Sequence, residues 1–402
     1  MVRESSREII ETAEKFGADN YHPLPVVISH GEGIWVTDVE GRKYMDMLAA
    51  YSAVNQGHRH PRILKAVQDQ MERITLTSRA FHNDRMGSFL QLLCQVTGYE
   101  KALPMNTGAE AVETAIKAAR KWGYQKKGVT PGKAEIIAVE GNFHGRTVTA
   151  VSFSTEAQYQ NGFGPFTPGF VIIPYNNPDA LERAITPNTV GFLVEPVQGE
   201  GGVLVPDPGY LSRCFEICRK HNVLFMADEI QTGFGRTGKM FACDHEGVRP
   251  DIVMVGKALG GGVYPVSAIL ADDGVMSVFT PGDHGSTFGG NPLGSAVATA
   301  ALNVLVEEEL PRRSAEMGEY FMRRLRTMGS PHVKEVRGKG LMIGVVIKDE
   351  SGPARPFCEC LMNNGILAKE THHQVIRFAP PLVITKEEID QAMTIIEKVL
   401  KG

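Results

Sequence analysis

The feature that most constrains this chain is a repeated alternation through its middle. Short β-rich runs are each followed by a helical pattern or a turn cluster. The strand candidates are Glu135–Glu140, Phe170–Pro174, Gly191–Glu195, Val223–Asp228, Asp251–Val255 and Val266–Ala271, and helical patterns cover Ala109–Lys126, Pro208–His221 and Leu293–Glu309. Several of the strand runs are apolar without alternating, which suits strands covered on both faces. Strand–helix–strand order then predicts a mostly parallel sheet with helices on either side, an α/β fold.

The two ends read differently. Ile34-Trp35-Val36 and Lys43-Tyr44-Met45 flank a turn at Asp38–Gly41 and predict a small antiparallel hairpin. The tail from Ser314 onward predicts a helix, a strand over Gly340–Ile347, a helix and a final amphipathic helix. At 402 residues one core is not expected to serve the whole chain. The expected division is a segment 1–48 joining a small α+β domain, a large domain 49–295, and the rest of the small domain at 296–402.

Composition excludes several classes. A net charge of -4 leaves no basic footprint for nucleic acid and no polybasic membrane patch. No run reaches the roughly 18 apolar residues of a membrane span, and Met1–Tyr21 lacks the apolar core of a signal peptide. Cys94, Cys214, Cys218, Cys243, Cys358 and Cys360 show no paired-ligand spacing, so reduced thiols, no metal and a cytoplasmic location are expected.

One loop carries two misleading patterns. Gly233-Phe-Gly-Arg-Thr-Gly238 fits a dinucleotide fingerprint by letter, and Gly233–Lys239 nearly fits a P-loop. Met240 stands where a P-loop needs Ser or Thr, and no convincing helix follows to receive phosphates; Phe241, Cys243 and Asp244-His-Glu read as loop.

Two strand ends are better candidates. Val223-Leu-Phe-Met-Ala-Asp228-Glu229 is an apolar strand that finishes in two carboxylates, at the edge where α/β proteins bind ligands. Asp251-Ile-Val-Met-Val-Gly-Lys257 finishes in a lysine followed by glycines. Partial desolvation there lowers a lysine's pKa and suits it to covalent amine chemistry.

These two runs, Ala227-Asp-Glu-Ile-Gln-Thr-Gly-Phe-Gly-Arg236 and Gly256-Lys-Ala-Leu-Gly-Gly-Gly262, resemble the class III aminotransferases of fold type I. So do Asn106-Thr-Gly-Ala-Glu-Ala-Val-Glu113, Gly141-Asn-Phe-His-Gly-Arg146, Glu195-Pro-Val-Gln-Gly-Glu200 and Gly285-Ser-Thr-Phe-Gly-Gly-Asn291, so that the likeness spans nearly the whole chain. It implies pyridoxal 5'-phosphate as cofactor, carried covalently by Lys257, with Asp228 opposite the pyridine nitrogen. It further implies that Thr107, Gly108 and Ala109 meet the phosphate and that Phe143 stacks on the ring. His144, Glu195, Ile230 and Gln231 complete the cofactor site by the same likeness. It implies a homodimer in which Ser286 and Thr287 reach the neighbouring subunit's cofactor phosphate.

Asn20-Tyr-His-Pro-Leu-Pro25 and Ala50-Tyr-Ser-Ala-Val-Asn-Gln-Gly-His58 resemble the branch of the family that acts on ornithine. That likeness implies δ-amino transfer from L-ornithine to 2-oxoglutarate, with Tyr21 and Tyr51 recognising the substrate. Arg377 matches the arginine that holds an α-carboxylate, and Arg146 the one that meets the distal carboxylate. Glu200 matches the glutamate that neutralises Arg377 in one half-reaction and frees it in the other. Other class III enzymes acting on N-acetylornithine, 4-aminobutyrate or a related terminal amine share most of these residues. A binding protein that kept the fold without catalysis would be expected to lack the lysine or the aspartate, and both are present.

Overall fold

The computed structural model describes residues 5–402. Its centre is a seven-stranded sheet. The strands run in the order Lys101–Met105, Ser267–Ala271, Ile252–Val255, Leu224–Asp228, Thr189–Val194, Glu135–Val139 and Phe170–Ile173. The last five pair in parallel, and Ser267–Ala271 runs antiparallel to both of its neighbours. All six expected strands are present within a residue or two. Lys101–Met105 was not expected. It contains Pro104, and its place at the sheet edge is where a proline costs no ladder bond.

The non-alternating apolar runs are buried on both faces, as their pattern requires. Ile137, Val139, Phe192 and Phe225 face one helical layer, while Ile136, Ala138, Leu193 and Met226 face another. The helix expected over Ala109–Lys126 is α-helical from Gly108 to Trp122 and continues as a wider π turn over Gly123–Lys127. Gly123 lies so close to Val190 that an added Cβ would stand 2.2 Å from its Cγ1. Close backbone packing against the neighbouring strand accompanies the change in helical pitch.

The terminal segments meet. The hairpin is present as Trp35–Asp38 and Lys43–Asp46, with Ile28–Glu32 added outside it and Ile366–Leu367 paired in parallel on its other edge. A third sheet, ordered Val333–Lys339, Met342–Ile347, Val375–Phe378 and Lys369–Thr371, carries Arg377. The single strand expected at Gly340–Ile347 is thus one arm of a hairpin, whose other arm is too polar to stand out. The final amphipathic helix runs Lys386–Lys401. No helix among the described residues is long and apolar enough to cross a membrane.

Candidate active site

The loop with two misleading patterns is a structural staple. Arg236 is fully buried and donates to the carbonyls of Leu341 and Pro380 and to Asn55. No nucleotide helix follows it; Ala242–Glu246 forms one 3₁₀ turn, a correction to the loop expected there. The turn is held by Glu229, whose carboxylate accepts the backbone N–H groups of Ala242 and Cys243. The two adjacent carboxylates of the Leu224–Asp228 strand end therefore separate: Glu229 serves the fold and Asp228 faces a cavity.

That cavity, about 200 Å³, is lined by Gly108, Ala109, Phe143, His144, Gly145, Glu195, Asp228, Ile230, Gln231, Thr232 and Lys257. The lysine and the aspartate singled out in the sequence share one chamber. Lys257 follows the Ile252–Val255 strand and has φ +43, the left-handed region, at an energetic cost of roughly 1 kcal/mol. Such an outlier persists where the surrounding structure over-determines it, commonly at a working site. Burial lowers the pKa of Lys257, opposed by the carboxylates of Glu200 and Asp228.

Asp228 Oδ2 accepts from His144 Nδ1 at 2.7 Å, and Asp228 Oδ1 accepts the Ile230 N–H at 3.1 Å. Burial alone would depress the pKa of His144, but the hydrogen bond and charge of Asp228 outweigh it and raise the value. Glu195, also buried, is pushed up to about 7 chiefly by desolvation, with His144 pulling the other way. One of its oxygens accepts the Phe143 N–H at 2.8 Å, which fixes the loop that presents the Phe143 ring to the cavity.

Thr107 caps the Gly108–Trp122 helix through a capping box with Glu110. The N–H groups of Gly108 and Ala109 in the first turn are left for a ligand, with the positive end of the helix dipole behind them. Gly108 is needed for closeness: a Cβ there would meet Ile230 at 3.1 Å.

Beside this chamber stands a second cluster. Arg377, buried on the Val375–Phe378 strand, donates to Glu200 Oε1 at 2.7 Å, and its guanidinium lies 4.7 Å from the Tyr51 ring centroid. Gln231 also donates to Glu200 Oε1, at 3.3 Å. Burial would raise the pKa of Glu200, but Arg377 outweighs it and holds the carboxyl below its ordinary value. Tyr51 sits in a left-handed turn, Ala49–Ser52, with φ between 46° and 74°. Its pKa is raised, chiefly by burial.

Not every expected residue lines the chamber. Arg146 is exposed, with its guanidinium 3.9 Å from the Tyr159 ring centroid and 5.8 Å from that of Phe143. Tyr21 is 75% exposed, though near enough to bear on the ionisation of Tyr51. Ser286 and Thr287 lie outside the chamber: Ser286 Oγ accepts from Asn106 at 2.8 Å, and Thr287 faces solvent. Sequence reasoning missed Tyr159, Gly145 and Thr232. Tyr159 carries no motif of its own, and only the packing of Arg146 on its face reveals it.

The Aminotransferase class-III family model matches residues 16–400. A protein of Exiguobacterium sp. named ornithine aminotransferase is 61% identical over 395 residues, 98% of each chain. The solved ornithine aminotransferase of Toxoplasma gondii superposes with a TM-score of 0.98 at 47% identity, covering 99% of this chain and 95% of that one. Acetylornithine aminotransferase of Elizabethkingia anophelis superposes with a TM-score of 0.90 at 49% identity, covering 99% of each chain. A match over almost its whole length makes this chain a member of the class III aminotransferases.

Proposed function

We propose that the chain transfers the δ-amino group of L-ornithine to 2-oxoglutarate, giving glutamate 5-semialdehyde and L-glutamate, with pyridoxal 5'-phosphate in the Lys257 cavity. The observation that carries this reading is the Arg377–Glu200 pair beside Tyr51. A site that took only α-amino acids would keep this arginine open for their carboxylate. Here it is closed by a carboxylate, which favours the distal amine of a diamino acid.

The residues fit the cofactor. His144 Nε2 is buried without a partner, Asp228 is anchored from behind, and the helix N–H groups of Gly108 and Ala109 are free for a phosphate. When bound, pyridoxal phosphate supplies an aldehyde that condenses with amines and a ring that accepts electron density from the carbon losing its proton. Lys257 Nζ, its pKa lowered by burial, is the base that takes that proton and the acid that returns it. Asp228, held by His144, would set its carboxylate opposite the ring nitrogen. Phe143, which lines the cavity, would cover one ring face and exclude water there.

Substrate selection falls to the second cluster. With ornithine, Glu200 holds Arg377 and the Tyr51 hydroxyl orients the α-carbon end away from Lys257. With 2-oxoglutarate or glutamate, Glu200 gives up Arg377 to the α-carboxylate, while Arg146 meets the distal one. Tyr21 adds a second hydroxyl at the entrance.

The reading includes a homodimer with Ser286 and Thr287 turned to the partner's cofactor phosphate. Exposed Phe81 and Phe288 support it, since Asn83 donates to the Gly290 carbonyl and brings their two segments together. It also includes a cytoplasmic location and the division at residues 48 and 295. The Met45–Ile366 pairing supports a small domain built from both ends.

Turnover of ornithine, N-acetylornithine and 4-aminobutyrate with 2-oxoglutarate, measured side by side, tests the substrate. The cyclised semialdehyde from ornithine is trapped colorimetrically. Faster turnover of N-acetylornithine would replace the ornithine reading with that of the acetylated amine.

A further inference from the structure

The segment Phe279–Phe288 is tied at its centre by an imidazole whose protonation state the surrounding atoms dictate. Thr114 Oγ1 gives its only proton to the Glu110 carbonyl at 2.6 Å, so at 2.8 Å from His284 Nε2 it can only accept. Lys117 Nζ stands 2.8 Å from His284 Nδ1, and an ammonium only donates. His284 is therefore neutral, with its proton on Nε2. Both partners belong to the helix that begins at Gly108. Lys121, one further turn along that face, pairs with Asp283, which also accepts from Thr280 at 2.7 Å. Phe279 stacks on the imidazole at 5.7 Å. At the other end, Ser286 Oγ accepts from Asn106, which also donates to Glu110 at 3.0 Å.

We infer that His284 is a positioning residue: as a neutral imidazole it clamps the Ser286–Thr287 segment to the helix whose N-terminus faces the chain's own cavity. The inference rests on the reading that Ser286 and Thr287 serve the partner's site. One helix then carries a phosphate cradle at its tip and, on its flank, the segment offered to the neighbour.

The clamp has a defined sensitivity to acid. The charges facing the imidazole are Lys117 and Glu110 on the helix, while Asp283 is committed to Lys121. Burial and then Lys117 lower the pKa of His284, with Glu110 opposing. A group with a lowered imidazole pKa keeps its full contribution above the ordinary value and loses it as pH falls through that region. A proton on Nδ1 would face the Lys117 ammonium and open the clamp.

Hydrogen–deuterium exchange over 279–288, corrected for intrinsic exchange, tests this on the full chain with pyridoxal phosphate bound and again without it. In the native protein, protection should fall as pH drops from about 7.5 to about 5.5, a range that spans imidazole titration. His284→Phe keeps the ring stack but neither hydrogen bond, and should show about fivefold less protection than the native protein near pH 7.5, roughly the equivalent of one hydrogen bond, with no further loss on acidification. Lys117→Met removes the ammonium that an Nδ1 proton would face, so the acid-induced loss should largely disappear in that variant, which a merely structural contact would not do. Pyridoxal phosphate release should accelerate in step with lost protection. Unchanged protection in His284→Phe, a full acid-induced loss persisting in Lys117→Met, or release that ignores protection would each overturn the assignment. Sedimentation of the same samples reads the dimer separately: a monomer would remove the shared-site reading, whereas exchange reports the clamp in either state.

Discussion

Arg377 and Glu200, 177 positions apart in sequence, meet at 2.7 Å beside the Lys257 chamber, with Tyr51 against the guanidinium. The arginine comes from the C-terminal sheet, the glutamate from the loop after the Thr189–Val194 strand. Both are largely withdrawn from solvent, so their attraction is less screened than in a surface bridge, and removing the glutamate charge leaves a buried cation.

Glu200→Gln removes the charge and keeps the shape. Arg377 is then free for an α-carboxylate in both half-reactions. A charge-assisted hydrogen bond of about 1.5–3 kcal/mol implies a shift of roughly ten- to a hundredfold toward glutamate over ornithine. Single-turnover rates with each amine read the ratio. Equal losses for both would show a static pair.

Lys257→Ala should leave a protein that still holds pyridoxal phosphate at the helix N-terminus but lacks the visible absorbance of the covalently bound form. Turnover should fall by at least about 10²–10⁴, the contribution of a positioned general base. An unchanged spectrum would place the covalent attachment elsewhere.

Glu195 makes stability depend on pH with the less usual sign. Its carboxyl is raised from 4.5 to about 7, mainly by burial. Below the ordinary value the folded and unfolded chains are both protonated and nothing is lost. Between that value and about 7 the unfolded chain ionises first, so folding weakens as pH rises. Glu195→Gln should flatten this slope and stabilise the cofactor-free chain near neutrality by about 1–3 kcal/mol, at 1.36 kcal/mol per unit. Urea midpoints at acid and neutral pH measure it.

Arg236→Met replaces the fully buried guanidinium that joins the carbonyls of Leu341 and Pro380 to Asn55. Those acceptors would be left without donors, at about 1–3 kcal/mol each for buried groups. We expect a lower melting temperature, read by calorimetry. Arg236→Lys should recover only part of it, because a lysine lacks the planar fork.

The central sheet was legible because strands covered on both faces must be apolar throughout, and few other patterns imitate that. Lys257 and Asp228 were legible for a related reason: each is a charged residue that ends such a run. Lys101–Met105 and Val333–Lys339 escaped notice, since a proline and alternating charges mask their extended conformation. Arg377 closing on Glu200 was expected from the family likeness, whereas Tyr159 under Arg146 depends on chain segments that only tertiary packing brings together. The roles of Glu229 and Arg236 in the fold were hidden for the same reason, as both sit in motifs that read as ligand-binding by letter.

The left-handed backbone at Lys257 and through Ala49–Ser52 has a bearing on repair and on design. Glycine at Lys257 or at Tyr51 would ease the local geometry, yet it would delete the amine in one case and the phenol in the other. Relief of that torsional tension therefore has to begin at neighbours such as Ala50, because at Lys257 and Tyr51 it is inseparable from the side chains those positions aim.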